Sequence, residues 1–241
     1  MFRESNQPFA NRREAGVELA AKLKRFGGRD DVVVLALPRG GVPVGFEVAE
    51  ALDTELDIFL VRKLGMPGHR EYAIGAIASG GVRVLSEDVV RAYRVPAGAI
   101  EAIAREESAE LERREREYRE GAPLTNLRGR IVILVDDGLA TGSTMRAAVQ
   151  AVRQHQPARV IVAVPVGAPE TCDEFADLTD ETVCARTPEP FRAVGLWYRD
   201  FSETTDDEVR SLLRQHADRL RAGRHLGPQL TSRRLPGNRH G

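Results

Sequence analysis

Three unbroken apolar runs set the architecture of this chain: VVVLAL (32–37), IVILV (131–135) and VIVAVPV (160–166). A strand with one wet face alternates apolar and polar residues, so runs like these have to be covered above and below. Around them lie stretches that read as helices, at 42–52, 143–155 and 168–178. DIFLV (57–61) reads as a further strand, and TVCA (182–185) as a fourth short one in the buried series. Buried strands alternating with helices imply an α/β fold, a parallel sheet with helices on both faces. Ligands in such folds collect at the carboxyl ends of the strands. Chemistry is therefore expected in the loops after Leu37, Val61 and Val135.

The flanks are less regular. Residues 9–26 place Val17, Leu19, Ala20, Leu23 and Phe26 at helical spacing and stop at Gly27–Gly28. RKLGMPGHRE (62–71) reads as a polar, mobile loop, and YAIGAIAS and VRVL read as a hairpin about Gly80–Gly81. Residues 97–120 carry charges of both signs at i,i+4 spacing and predict a solvated helix. After Thr187 the chain turns irregular and aromatic (FRAVGLWYRDF), and a helix near 205–220 follows. The expected division is an N-terminal helix (1–28), a core (29–186, with the 62–82 loop and hairpin), a cover with a C-terminal helix (187–221), and a basic Gly- and Pro-containing tail or linker (222–241).

Composition excludes several functions. A net charge of −1 over 241 residues, with no basic stripe, does not suit a nucleic-acid binder. No stretch approaches the roughly 20 apolar residues of a membrane span, and the N-terminus lacks the apolar core of a secretory signal. Cys172 and Cys184 have the spacing of neither a metal knuckle nor a redox pair, so a soluble, reduced, cytoplasmic protein is expected. Only Lys22, Lys24 and Lys63 are lysines, which draws attention to Lys63 in a loop.

The segment richest in chemistry is IVILVDDGLATGSTM (131–145). Its strand delivers Asp136 and Asp137 to the rim of the sheet. Gly138, Gly142 and the hydroxyls of Thr141, Ser143 and Thr144 then precede a helix. Backbone amides of such a turn, with the helix N-terminus, cradle an anion. Two acids just upstream would repel a bare phosphate, so they suit ribose hydroxyls or a hydrated metal on the same ligand.

VILVDDGLATGST resembles, without a gap, the phosphoribosyl pyrophosphate (PRPP) signature of type I phosphoribosyltransferases. The resemblance spans about residues 30–200 and implies that family's parallel-sheet fold with a small C-terminal hood. It assigns Asp136 and Asp137 to the ribose and to Mg²⁺, and Ala140, Thr141, Gly142, Ser143 and Thr144 to the 5′-phosphate. LPRGGVPVGFEVA resembles the family's pyrophosphate loop, with Arg39, Gly40 and Gly41 facing the diphosphate and a cis peptide expected at Pro38–Arg39. FLVRKLGMPGHREYAIG resembles the adenine- and orotate-type branches, which makes Arg62 and Lys63 diphosphate ligands and Met66 to Tyr72 a lid. Glu71, or His69, is the candidate acid/base. Ala140 stands where the 6-oxopurine enzymes usually carry an aspartate, so hypoxanthine or guanine salvage is not the expected role. Phe191, Trp197 or Tyr198 could stack on a base; packing of the hood or a dimer contact accounts for them equally well.

The resemblance thus implies Mg²⁺-dependent transfer of 5-phosphoribosyl to a nitrogen nucleophile such as a nucleobase, by a homodimer. The alternative is a non-catalytic regulator that senses PRPP, and a piece of a longer fusion protein stays open as well.

Overall fold

The computed structural model describes residues 7–225, apart from the side chains at 70, 71, 224 and 225. In chain order the main elements are α1 (Arg12–Leu23), β1 (Val32–Ala36), α2 (Gly41–Leu52), β2 (Glu55–Ile58), β3 (Val61–Met66), β4 (His69–Ala78) and β5 (Val82–Leu85). There follow α3 (Glu87–Ala92), α4 (Ala97–Arg119), β6 (Ile131–Val135), α5 (Ser143–Gln154), β7 (Arg159–Val166), α6 (Pro169–Leu178), β8 (Glu181–Arg186) and α7 (Asp206–His225).

Five strands form a parallel sheet in the order β2-β1-β6-β7-β8. The apolar runs are buried on both faces, as their composition requires. Val32, Val34, Ile131, Ile133 and Ile161 meet Leu19, Leu23, Val44 and Val48 of α1 and α2. Their alternating neighbours Val33, Leu35, Val132, Leu134 and Val162 meet Met145, Val149 and Val152 of α5. After β1 the chain moves outward to β2, whereas after β6 it moves the other way to β7 and β8. The carboxyl ends of β1 and β6 therefore flank the crevice where strand order reverses, the usual place for a ligand in an open α/β sheet.

Several expectations need correction. The helix read over 9–26 begins at Arg12, capped by Asn11, whose Oδ1 accepts the Glu14 amide at 3.0 Å. Phe9 lies outside it and bridges to Tyr198. Val17 is exposed; α1 instead closes on α2 through Gly16, where a Cβ would sit 2.8 Å from the Glu47 Cβ. The run 57–61 is not one strand, because the chain leaves the parallel sheet after Ile58. The amide of Leu60 is then held by Ser79 Oγ at 2.9 Å, which starts a second sheet.

That second sheet, antiparallel β3-β4-β5, includes most of the stretch read as a polar loop. Leu64, Met66 and Ile74 turn one of its faces into a shared core with Ile100, Ala104 and Leu111 of α4. Register shifts at Leu64–Met66 and the Gly and Pro content break the period-two signal, so the strand is not evident from sequence. The 97–120 helix is amphipathic rather than wholly solvated: it combines those buried residues with exposed pairs such as Arg113–Glu117 at 2.6 Å. The helix α7 extends through His225, past the expected start of the tail at 222; residues 226–241 lie outside the described residues.

The cysteines are not a reduced pair. Cys172 in the first turn of α6 and Cys184 in β8 form a disulfide, with Cα atoms 6.6 Å apart. A return from helix to adjacent strand brings them together, and Gly167 leaves the room: a Cβ there would lie 2.5 Å from Cys172 Sγ. Among the described residues no helix is long and apolar enough to cross a membrane.

Candidate active site

Two loops meet at the reversal of strand order. The first, Pro38 to Gly40, follows β1, and its Pro38–Arg39 peptide is cis. The second, Asp136 to Gly142, follows β6. Leu37 N–H donates to Val135 O at 2.8 Å and ties their roots together. Their contact is close enough to demand glycine. A Cβ on Gly40 would lie 2.1 Å from Asp137 Oδ2, and one on Gly41 would lie 2.8 Å from Val135 O.

The two acids differ in surroundings. Asp136 Oδ1 accepts the Asp137 amide at 2.8 Å. Burial, and after it the charge of Asp137, pushes the Asp136 carboxyl well above the ordinary carboxylate range. Burial pushes Asp137 up as well, with Arg12 pulling the other way. Arg12, the first residue of α1, gives its Nε to Asp137 Oδ2 at 2.8 Å and its Nη1 to Ser202 O at 2.6 Å. Its guanidinium lies 4.0 Å from the ring centre of Phe201. Tyr198 O–H donates to Asp137 O, and burial, then the Asp137 charge, raises that phenol.

The turn beyond the acids is braced from α6. Thr171 Oγ1 donates to Ala140 O at 2.6 Å. Gly142 takes φ +69°, and a Cβ there would strike Phe175 at 2.5 Å. Thr141, Ser143 and Thr144 are exposed, with Thr141 Oγ1 and Ser143 Oγ 3.3 Å apart. The first amides of α5 have no partner within the helix and open toward this turn. Unpaired amides at a helix N-terminus are able to receive an anion.

The remaining expected site residues are distributed as follows. Arg39 is paired with Glu203 and lies 3.7 Å from Asp206. Arg62 is engaged by Glu107 of α4. Lys63 is exposed and lines a cleft that also contains Ser143. His69 stands at the start of β4, and the Glu71 side chain lies outside the described residues. Phe191 and Trp197 pack against a buried cluster of Phe9, Val166 and Tyr198. Tyr198 itself is 5% exposed, with the Phe9 and Phe201 rings 5.5 and 5.1 Å away.

Sequence reasoning missed Arg12, Thr171, Glu203 and Asp206. Each reaches the site from an element remote in sequence, and no local spacing marks it.

For a metal, the described residues contain no group of three or more His, Cys, Asp or Glu side chains able to hold an ion. Asp136 and Asp137 fit Mg²⁺ only as an ion that a phosphate ligand and water also coordinate.

The family model described as phosphoribosyl transferase domain matches residues 10–185. The Mycobacterium tuberculosis H37Rv protein named "Putative phosphoribosyl transferase Rv0571c" is 49% identical over 216 residues, which are 89% of this chain and 48% of that protein. The same figures hold for its counterpart in strain CDC 1551, MT0597. This chain thus spans about half the length of the curated relatives it matches. The crystal structure of TT1426 from Thermus thermophilus superimposes with a TM-score of 0.76 at 43% identity, covering 87% of this chain and 99% of that one. On the family match and the fold together, the chain belongs to the phosphoribosyl transferase domain family.

Proposed function

We propose that this chain transfers a 5-phosphoribosyl group from PRPP to a nitrogen nucleophile and releases pyrophosphate. The observation that carries the reading is the meeting of the Arg39–Gly41 loop with the Asp136–Thr144 loop at the point where strand order reverses. One loop offers a cation and half-buried glycine backbone, and the other offers paired acids and a helix N-terminus suited to a phosphate. A sugar bearing a diphosphate at one end and a phosphate at the other needs this combination.

In the proposed reaction the anomeric C–O bond to the diphosphate breaks, its electron pair leaving with pyrophosphate, while a C–N bond forms and the nucleophile loses its proton. Arg39 and Lys63 hold the leaving charge. Asp136 and Asp137 accept the ribose hydroxyls, and residues 140–144 fix the 5′-phosphate and hence the position of the reacting carbon. Glu71 is proposed to take the proton. Bound with the diphosphate, Mg²⁺ would supply further charge neutralisation at the leaving group.

Titration calorimetry with PRPP, with and without Mg²⁺, tests the site on wild type and on Asp136→Ala/Asp137→Ala. Binding lost in the double variant, together with pyrophosphate release in a nucleobase panel, is the expected result. Absence of PRPP binding by folded wild type overturns the reading. Binding without turnover under every acceptor favours a PRPP-sensing regulator.

A further inference from the structure

The disulfide lies directly behind the turn at residues 140–144. Strand β8 is at the edge of the parallel sheet, paired only with β7, and the first turn of α6 has no side-chain cap. Cys172 in that turn is 8% exposed, whereas Cys184 on the strand is half-buried. Both sulfurs close over Gly167. A Cβ there would lie 2.5 Å from Cys172 Sγ, 3.3 Å from Leu139 Cβ and 3.4 Å from Cys184 Sγ. The bond therefore sits against Leu139, the residue that leads into the turn.

Hydrogen bonds continue the connection. Gly167 N–H donates to Arg186 O of β8 at 3.1 Å, Leu139 N–H to Val166 O at 2.9 Å, and Ala168 N–H to Leu139 O at 2.8 Å. Beside Cys172, Thr171 Oγ1 donates to Ala140 O at 2.6 Å. Thr171 Cγ2 and the Phe175 ring close on Gly142. Two adjacent residues of α6 thus tie its first turn covalently to β8 and by hydrogen bond to the 140–144 turn. Once the covalent link is cut, packing alone holds this end of the helix to the strand.

We propose that Cys172–Cys184 is a thiol-exchange site that controls the 140–144 turn, and with it the affinity of that turn for a phosphate. The oxidised protein fixes the turn through Thr171, and the reduced protein loosens it. The reactant is a dithiol. Its thiolate attacks Sγ of Cys184, the more accessible sulfur, and the S–S electron pair leaves on Cys172 Sγ, at a helix N-terminus that favours a thiolate. The second thiol of the reductant then attacks the mixed disulfide, and Cys184 leaves as a thiolate. Two protons pass from the dithiol through water to the cysteines. The dithiol is oxidised to a cyclic disulfide as the protein bond gains two electrons. The inference rests on the phosphoribosyl reading in one respect, that residues 140–144 hold a phosphate.

The test uses the full chain, oxidised or treated with dithiothreitol, and the variants Cys172→Ser/Cys184→Ser and Thr171→Val. Calorimetry with ribose 5-phosphate reads affinity. Residue-resolved amide exchange reads the turn without any ligand, at the hydrogen-bonded amides of Leu139, Ala168 and Arg146, with Leu37 as the control on the same rim. Reduction is expected to weaken ribose 5-phosphate roughly fivefold, about the worth of one hydrogen-bonded brace. Exchange should quicken at Leu139, Ala168 and Arg146 and hold at Leu37. The serine pair should match reduced wild type and ignore dithiothreitol. Thr171→Val, with its disulfide intact, should bind weakly from the outset and lose little more on reduction.

The proposal is overturned if ribose 5-phosphate binds equally before and after reduction, or if exchange behind the turn does not change. Exchange that rises evenly at Leu37 as well makes the bond a general staple and overturns it too, as does a full effect of reduction in Thr171→Val. If oxidised wild type binds no ribose 5-phosphate while reduction still loosens Leu139, Ala168 and Arg146 alone, the control of the turn by the disulfide stands and the phosphoribosyl reading falls.

Discussion

Arg12 Nε lies 2.8 Å from Asp137 Oδ2, joining the first residue of the N-terminal helix to an acid 125 positions later. The side chains are 12% and 16% exposed, so the pair is largely withdrawn from water. Through Nη1 the same guanidinium reaches Ser202 O. One residue thus links the proposed sugar-binding carboxylate to the segment that leads into α7.

Removing that link has a defined consequence. Arg12→Met leaves Asp137 without its charged partner, a loss of about 2 kcal/mol for a charge-assisted hydrogen bond. Urea denaturation should show this loss, and calorimetry should show ribose 5-phosphate bound on the order of tenfold more weakly. Affinity for inorganic phosphate, which needs only the turn, should hold. Unaltered ribose 5-phosphate affinity in the folded variant would count against a sugar-binding role for Asp137.

The buried acids dictate a pH dependence. Unfolded, Asp136 and Asp137 ionise near the ordinary 3.8; folded, they hold their protons to higher pH. Between those limits the native state binds more protons than the unfolded chain. Their contribution to stability is therefore greatest in acid and declines as pH rises through the window. Asp136→Asn should flatten that slope and stabilise the protein at neutral pH in denaturation curves taken across pH. Ribose 5-phosphate affinity should run the opposite way in wild type, rising as the carboxylates ionise. A variant with the wild-type stability slope would place its cause elsewhere.

Glu203 and Asp206 hold Arg39 in this structure, so on the proposed role of Arg39 an incoming diphosphate has to displace them. The Glu203 side chain is 72% exposed, which limits the pair to at most about 1 kcal/mol. Glu203→Gln is expected to strengthen inorganic pyrophosphate binding by roughly two- to fivefold. Weaker binding in the variant would show that Glu203 assists the ligand rather than competing with it.

The Cys172–Cys184 disulfide closes a short loop between α6 and β8. Cys172→Ser/Cys184→Ser should lower unfolding free energy by about 2–4 kcal/mol. Dithiothreitol should produce the same loss in wild type and none in the variant. Equal stability before and after reduction would remove the bond from the account of this fold.

The parallel sheet and the rim where its two loops meet were legible in the sequence because their causes are local. VVVLAL and IVILV can only be strands covered on both faces, and the order of the elements places Arg39 and Asp136–Asp137 at one end of the sheet. Glycines 40, 41 and 142 stand where the chain approaches itself too closely for a Cβ, which a motif preserves in linear form. Other features needed the folded chain. The β3 strand carries a broken alternation and becomes a strand only by pairing with β4 and covering α4. The disulfide depends on a helix returning to the adjacent strand, and a separation of twelve residues does not specify that return. Arg12 meets Asp137, and Glu203 meets Arg39, across 125 and 164 residues. Local periodicity determines which face of an element is buried. Which charged side chain arrives at a given carboxylate is decided only when remote elements pack.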